Sequence, residues 1–176
     1  TISAGPLDNN FGTGGYHGST FYGAINFTAD TNFTLISTWI DADGNGNRTI
    51  YLWEGDVQNG GNFPTNNIID QITLPIVDGT QRINLNFEIP GSGDYAIGGN
   101  QMDLYRNNSG PAYPYVTPGV VSLNSSSAGS SADYYYYFYD WEIKTMPCES
   151  PLQEVIANVV ETNFTQQIQN NIVYFT

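Results

Sequence analysis

The sequence predicts an all-β fold, an antiparallel β-sandwich of jelly-roll-like type, and three observations lead to this prediction. Residues 82–90 alternate between apolar and polar side chains, which is typical of a strand with one buried and one solvated face. Short β-branched and aromatic segments are separated by turn residues roughly every ten positions, as in sandwiches and barrels. Residues 1–145 show no helical periodicity.

The predicted elements follow in order along the chain. Residues 1–20 are rich in Gly and Asn and predict an irregular loop. After Phe21 the pattern predicts strands over residues 33–40, 48–53, 68–76, 82–90, 94–97, 102–105, 120–123 and 134–145. The Asp-, Asn- and Gly-rich residues 41–47 predict a turn that joins the first two of these strands as a hairpin.

A break in the pattern at residues 146–151 divides the chain. Residues 1–145 are predicted to form one sandwich module, a size that buries a core without disulfides or metals. Residues 146–176 are predicted to be a linker, the start of a following module, or a strand added to the sandwich. Cys148 is the single cysteine, so a disulfide within this chain is excluded.

The charge balance excludes several classes of partner. Four Lys and Arg stand against 17 Asp and Glu, a formal net charge of −13, whereas nucleic-acid binding requires clustered cations. The same charge argues against an anionic membrane surface or an anionic polysaccharide as the main ligand. No apolar run approaches the about 20 residues that span a bilayer, so membrane insertion is not expected. The scarcity of Lys favours a secreted or cell-surface protein.

The sequence offers no catalytic set, and we therefore expect a protein that is not an enzyme. The single histidine, His17, lies in a Gly-rich segment, where a carboxylate would have to orient it for nucleophilic catalysis. One histidine also excludes a multi-histidine zinc site. Asp140 and Glu142 share one face of a predicted strand, as a glycosidase pair could, but we interpret them as a solvated or calcium-binding pair.

Residues 41–47 also have the composition of a calcium loop. Oxygen ligands stand at alternate positions, as such loops require: Asp41, Asp43, Asn45 and Asn47. The acidic ligand expected at position twelve is missing, because Leu52 stands there. Two interpretations remain, a structural calcium site or a turn in which Asp, Asn and Gly adopt unusual backbone angles.

One loop region combines side chains that bind sugars. Aromatic rings stack on the apolar faces of sugar rings, while Asn and Arg fix the hydroxyl groups. The predicted ligand-binding residues are Tyr105, Arg106, Asn107, Asn108, Tyr113 and Tyr115. In the alternative interpretation, Arg106 pairs with a carboxylate and pins the loop. Residues 134–139 form either a thick aromatic strand in the core or a sugar platform, and Tyr51 with Trp53 forms a second candidate platform.

A family resemblance rests on an ordered series of segments: residues 103–110 (DLYRNNSG), 113–115 (YPY), 118–123 (PGVVSL) and 136–143 (YYFYDWEI). This series resembles the β-sandwich modules of large secreted, type IX-sorted cell-surface proteins of Bacteroidetes. The resemblance implies surface location and an accessory role, and it supplies no ligand. Residues 139–143 are also similar to the closing strand of some jelly-roll carbohydrate-binding modules, which makes Asp140 a competing candidate for a structural calcium.

These observations predict a non-catalytic extracellular module that binds a glycan or another cell-surface polymer, or mediates adhesion. The alternative is a structural spacer or accessory domain that supports a neighbouring enzyme or adhesin repeat. In both cases neighbouring domains of a parent protein are expected partners, and structural calcium is the only cofactor expected.

Overall fold

The computed structural model describes residues 1–18, 21–58, 60, 62–145, 167–169 and 172–174. All regular secondary structure in these residues is β. The strands are β1 (Ile2–Ala4), β2 (Gly14–His17), β3 (Tyr22–Ala29), β4 (Phe33–Ala42), β5 (Gly46–Glu54), β6 (Ile68–Ile76), β7 (Gly79–Ile89), β8 (Gly93–Asn100), β9 (Leu104–Asn107), β10 (Tyr115–Thr117), β11 (Val121–Ser126), β12 (Tyr135–Tyr136), β13 (Tyr139–Thr145), β14 (Gln167–Gln169) and β15 (Ile172–Tyr174).

Two antiparallel sheets pack face to face, which confirms the predicted all-β sandwich. Within the described residues the first sheet has the order β1-β13-β4-β9-β12, with β7 paired to β4 and β2 paired to β9. The second has the order β10-β11-β3-β8-β5-β6. The chain crosses repeatedly from one sheet to the other, and β14 and β15 form a separate two-stranded pair.

The core between the sheets is dominated by aromatic side chains. Phe27 on β3 meets Trp141 on β13 edge to face, with ring centroids 5.1 Å apart, and stacks on Tyr95 at 5.6 Å. Residues 135–139 are also buried, so the tyrosine-rich segment belongs to the core. Burial of each such ring contributes on the order of 1.5–3 kcal/mol to folding, and these contacts join the two sheets directly.

Strand β7 shows the alternation that the sequence predicts. Its inward residues Ile83, Leu85, Phe87 and Ile89 are buried, and the residues between them are exposed. A bulge interrupts its pairing with β4, and Asn86 there adopts a positive φ of 53°. Within the described residues β7 has one partner strand, so it forms an edge of the first sheet.

The predicted hairpin between residues 33–40 and 48–53 is wrong. The turn exists, but β4 lies in the first sheet and β5 in the second, so the two strands do not pair. The buried guanidinium of Arg48 lies inside this turn and donates to the carbonyl oxygens of Asp43, Gly44 and Met102. The chain therefore turns from one sheet to the other around an arginine.

Two further segments differ from the sequence prediction. The predicted loop over residues 1–20 contributes β1, which pairs with β13, and β2, which pairs with β9. The predicted strand over residues 134–145 is divided into β12 and β13, because Tyr137 has a positive φ of 67°. Residues 146–166, including Cys148, lie outside the described residues, so the prediction for the tail is unchanged.

Buried asparagines connect loops to this framework. The Asn26 amide on β3 is fully buried; its oxygen accepts from the backbone N–H of Val57 at 2.9 Å, and its nitrogen donates to the Val57 carbonyl at 3.2 Å. The buried Asn107 amide on β9 donates to the carbonyl oxygens of Asn9 and Gly12 at 2.9 and 3.3 Å. Each of these side-chain amides thus fixes a loop by hydrogen bonds to its backbone: Asn26 the loop at Val57, and Asn107 the loop at Asn9 and Gly12.

Candidate functional site

An open cavity of about 510 Å³ lies where β2, β9 and β12 meet the loop that follows β11. Such a volume falls within the about 300–1,000 Å³ typical of small-ligand sites. The described residues that line it are His17, Phe21, Gly60, Arg106, Ala128, Gly129, Ser130, Tyr134 and Tyr136. The lining combines aromatic rings with one guanidinium and contains no carboxylate among these residues.

Strand pairing places Arg106 in this cavity. Arg106 is the register partner of Tyr136 on one side and of Gly15 on the other. Gly15 leaves open space where a side chain would stand. Arg106 therefore has an aromatic neighbour on one side and room on the other.

Neutral groups hold the Arg106 guanidinium. Its Nε donates to the amide oxygen of Asn108 at 2.9 Å, and its Nη1 donates to the Tyr136 hydroxyl at 3.3 Å. The guanidinium carbon lies 4.7 Å from the centroid of the Tyr134 ring and 5.4 Å from that of Tyr136, which are cation–π distances. In the part of the chain that the structure describes, no carboxylate pairs with Arg106.

His17 forms a second wall of the cavity. Its Nδ1 shares a hydrogen bond with the Tyr137 hydroxyl at 2.9 Å, and its ring meets Tyr136 edge to face at 5.7 Å. Burial lowers the pKa of His17, and the nearby positive charge of Arg106 lowers it further, while Asp103 partly opposes them. His17 is thus neutral at neutral pH, and Arg106 supplies the positive charge among the described lining residues.

The aromatic walls differ in exposure. Phe21 is 54 % exposed and stacks beside His17, with ring centroids 6.3 Å apart. Tyr134 is partly exposed, whereas Tyr136 is buried. Phe21 and Tyr134 are therefore the rings on which a ligand could stack.

Of the six ligand residues predicted from the sequence, the structure places one, Arg106, in the lining of this cavity. Asn108 orients Arg106. Asn107 is buried and also accepts a hydrogen bond from the Tyr139 hydroxyl at 2.8 Å. The Tyr105 ring contacts Tyr16 edge to face at 5.7 Å.

The remaining two predicted ligand residues pack against the core instead. Tyr113 stacks on Tyr135 at 5.9 Å, and Tyr115 meets the same ring edge to face at 5.8 Å. Tyr113 also donates to the Tyr134 carbonyl oxygen at 3.1 Å. These two tyrosines therefore support residues 134–136 and are not among the residues that line the cavity.

A loop covers the second candidate platform. Phe63 contacts the rings of Tyr51 and Trp53 at 4.9 and 5.7 Å, and the Trp53 indole donates to the Pro64 carbonyl at 2.9 Å. Trp53 is fully buried. This pair fixes the long loop after β5.

The candidate calcium ligands of the turn have other partners. Asp41 accepts from Asn9 at 2.9 Å and from Tyr16 at 3.2 Å, and the Asn45 oxygen accepts from the backbone N–H of Asp78 at 2.8 Å. Asp43 and Asn47 are exposed on the turn. The Arg48 guanidinium donates to the carbonyl oxygens of Asp43 and Gly44 inside the turn, a contact that fits the turn interpretation.

Asp140 lies in a different environment, a second cavity of about 390 Å³. It forms an ion pair with Arg82 and accepts from Ser3 at 2.5 Å. Glu142 in the same cavity accepts from Ser37 at 2.7 Å. Among the described residues, no group of three or more His, Cys, Asp or Glu side chains is placed to hold a metal ion.

The sequence predicts Arg106 as a ligand residue and places Tyr134 and Tyr136 in a candidate sugar platform, but it gives no binding signal for the rest of the cavity. His17 is a candidate from the sequence only for catalysis, and nothing in the sequence marks Phe21 or residues 128–130 as ligand contacts. The Ser/Gly composition of residues 124–132 indicates a loop and nothing more. The pairing of Tyr136 with Arg106, thirty residues apart, and the pairing of β2 with β9 bring the arginine, the tyrosines and His17 together.

Comparisons with family models, curated proteins and solved structures give no match to this chain. The resemblance to Bacteroidetes surface modules therefore stays a prediction from sequence. Within the described residues, no helix is long and apolar enough to cross a membrane.

Proposed function

We propose that this protein is a non-catalytic carbohydrate-binding module of a secreted or cell-surface protein, with the Arg106 cavity as its glycan site. The observation that carries the proposal is an arginine fixed by neutral groups inside an open, aromatic-walled cavity. Phe21 and Tyr134 offer faces for sugar stacking, while Arg106 and Ser130 offer polar groups for hydroxyls.

A binding role suits this lining better than a catalytic one. Glycoside hydrolysis uses two carboxyl groups that flank the bond to be cleaved, and the described lining residues include neither Asp nor Glu. Asp140 and Glu142 are engaged with Arg82 and Ser37 in the second cavity. Because the described residues of the Arg106 cavity include no carboxylate, we propose that glycan binding there does not depend on calcium, whose role would be structural.

The alternative role is a structural spacer or accessory domain. A spacer needs no ligand cavity, whereas the Arg106 cavity combines a fixed guanidinium with partly exposed rings. The binding role is therefore the one that we propose.

A blocking variant tests this proposal. Gly129 lines the cavity, and open space lies where its Cβ would be, so Gly129→Trp fills the cavity without a backbone clash. Gly91 has the same open surroundings and does not line the cavity, so Gly91→Trp is the matched control. On a glycan array, with calcium and with chelator, we expect the wild type and Gly91→Trp to bind the same glycans and Gly129→Trp to bind none. Absence of any glycan binding by the wild type, or equal binding by both variants, would refute the proposed site.

A further inference from the structure

We propose that the sugar recognised at the Arg106 cavity carries a carboxylate, as a hexuronic acid does, and that Arg106 pairs with it. This inference rests on the proposed function and specifies the ligand. Its starting point is the distribution of the four cationic side chains, all of which lie in described residues.

Two of the other three cationic residues have a structural role, and the third is exposed away from the cavity. Arg48 is buried and holds backbone carbonyl oxygens of the turn between the sheets. Arg82 forms an ion pair with Asp140. Lys144 is exposed on the outer face of β13. Arg106 differs from all three, because it lies in an open cavity and its described hydrogen bonds go to neutral side chains alone.

Arg106 has no carboxylate partner among the described residues. Acidic side chains outnumber cationic ones 17 to 4, yet the described part of the chain supplies none to this guanidinium. Its contacts with Asn108 and Tyr136 orient it and leave its charge uncompensated. A planar guanidinium binds a carboxylate through two parallel hydrogen bonds, so a ligand carboxylate supplies the missing partner.

The aromatic rings favour a carboxylate carried by a sugar over a simple carboxylate anion. A simple anion needs only the guanidinium, whereas Phe21 and Tyr134 provide apolar surface beside it, suited to the C–H face of a pyranose ring. The net charge of −13 limits the ligand further, because it repels long polyanions. One acidic unit in an otherwise neutral glycan fits both conditions.

The experiment compares two disaccharides that differ only in a terminal glucuronic acid or glucose unit. Titrations at neutral pH use the wild type, Arg106→Gln, and Lys144→Gln as a control that removes the same charge outside the cavity. We expect the wild type and Lys144→Gln to bind the acidic disaccharide at least about tenfold more tightly than the neutral one. Arg106→Gln should bind the two disaccharides equally while its thermal unfolding stays cooperative.

Each other outcome overturns the inference in a recognisable way. Equal wild-type affinity for both disaccharides would show that the carboxylate is not recognised, whereas the proposed glycan site would still hold. An equal loss in Lys144→Gln and Arg106→Gln would show that net charge, not a contact, sets the preference. If acetate or a short peptide with a free C-terminus binds as tightly as the acidic sugar, the sugar is not the ligand. If neither disaccharide nor any arrayed glycan binds, the proposed function fails together with the inference.

Discussion

Asn107 ties the N-terminal loop to the sandwich through its buried amide. It donates to two loop carbonyl groups and accepts from the Tyr139 hydroxyl, so three polar groups share one side chain. A buried polar group left without a partner costs about 1–3 kcal/mol. The sequence predicts Asn107 as a ligand residue because it stands between Arg106 and Asn108. Its burial depends on β2 and the loop before it, a segment that the sequence predicts as an irregular loop.

The buried tyrosines give the protein a characteristic response to alkali. Burial is the largest cause that raises the pKa of Tyr113, Tyr135, Tyr137 and Tyr139 above the ordinary value near 10. Because the folded state holds these protons more tightly than the unfolded state, their contribution to stability is complete below about pH 10 and falls as pH rises above it.

We therefore expect Tyr113, Tyr135, Tyr137 and Tyr139 to ionise only as the protein unfolds above about pH 10, in an alkaline titration followed by absorbance of the phenolate band. Far-UV circular dichroism recorded in parallel should change together with their ionisation. Reversible ionisation of all 13 tyrosines with the fold intact would contradict the buried positions.

Strands differ in how far the sequence predicts them. The sequence of β7 alternates clearly between polar and apolar residues because one face of the strand is exposed to solvent and the other is buried. Strand β3 is buried almost throughout, since its outer face is covered by the loop after β5, and no alternation marks its bounds. The turn after β4 is recognisable from composition, but composition does not say which strands pair. The cavity depends on such long-range pairing, so the sequence predicts Arg106 from its scarcity and leaves residues 134–139 open between core strand and sugar platform.

Close approach of β3 and β8 makes Gly98 a sensitive position. A Cβ on Gly98 would lie 2.2 Å from the Gly23 carbonyl oxygen and 2.6 Å from the Ala24 Cβ. We expect Gly98→Ala to lower the free energy of unfolding by about 2–3 kcal/mol, because the two strands must move apart. Gly91→Ala, which meets open space, should change it by less than about 0.5 kcal/mol. Urea denaturation measures both, and equal midpoints for the two variants would show that the strands are not this close.

At the scale of the whole molecule, the surface is strongly acidic around a largely uncharged core. The described residues contain one ion pair, between Arg82 and Asp140, and both side chains are partly exposed. Exposed pairs of this kind contribute about 0–1 kcal/mol, so they do little to offset the mutual repulsion of the acids. Burial, together with the charge of Asp94, raises the pKa of Asp56, which fits such repulsion.

Added salt should consequently stabilise the protein at neutral pH. About 0.5 M NaCl shortens the Debye length well below the about 10 Å found at 0.1 M, which screens repulsion between surface carboxylates. We expect the urea midpoint to rise with NaCl at neutral pH. Near the sequence pI of about 4.1 the same salt should have little effect. A midpoint independent of salt at neutral pH would show that repulsion is not a significant term.

The buried amides of Asn26 and Asn107 have a consequence for producing the protein. Each begins an Asn-X-Ser/Thr triplet, the acceptor sequence for N-linked glycosylation. Their side-chain nitrogens donate to backbone carbonyl groups inside the fold, so a glycan attached there before folding would prevent the sandwich from closing. In a eukaryotic secretory pathway, glycosylation would compete directly with folding at these two positions. A bacterial host, or replacement of Thr28 and Ser109, avoids that competition.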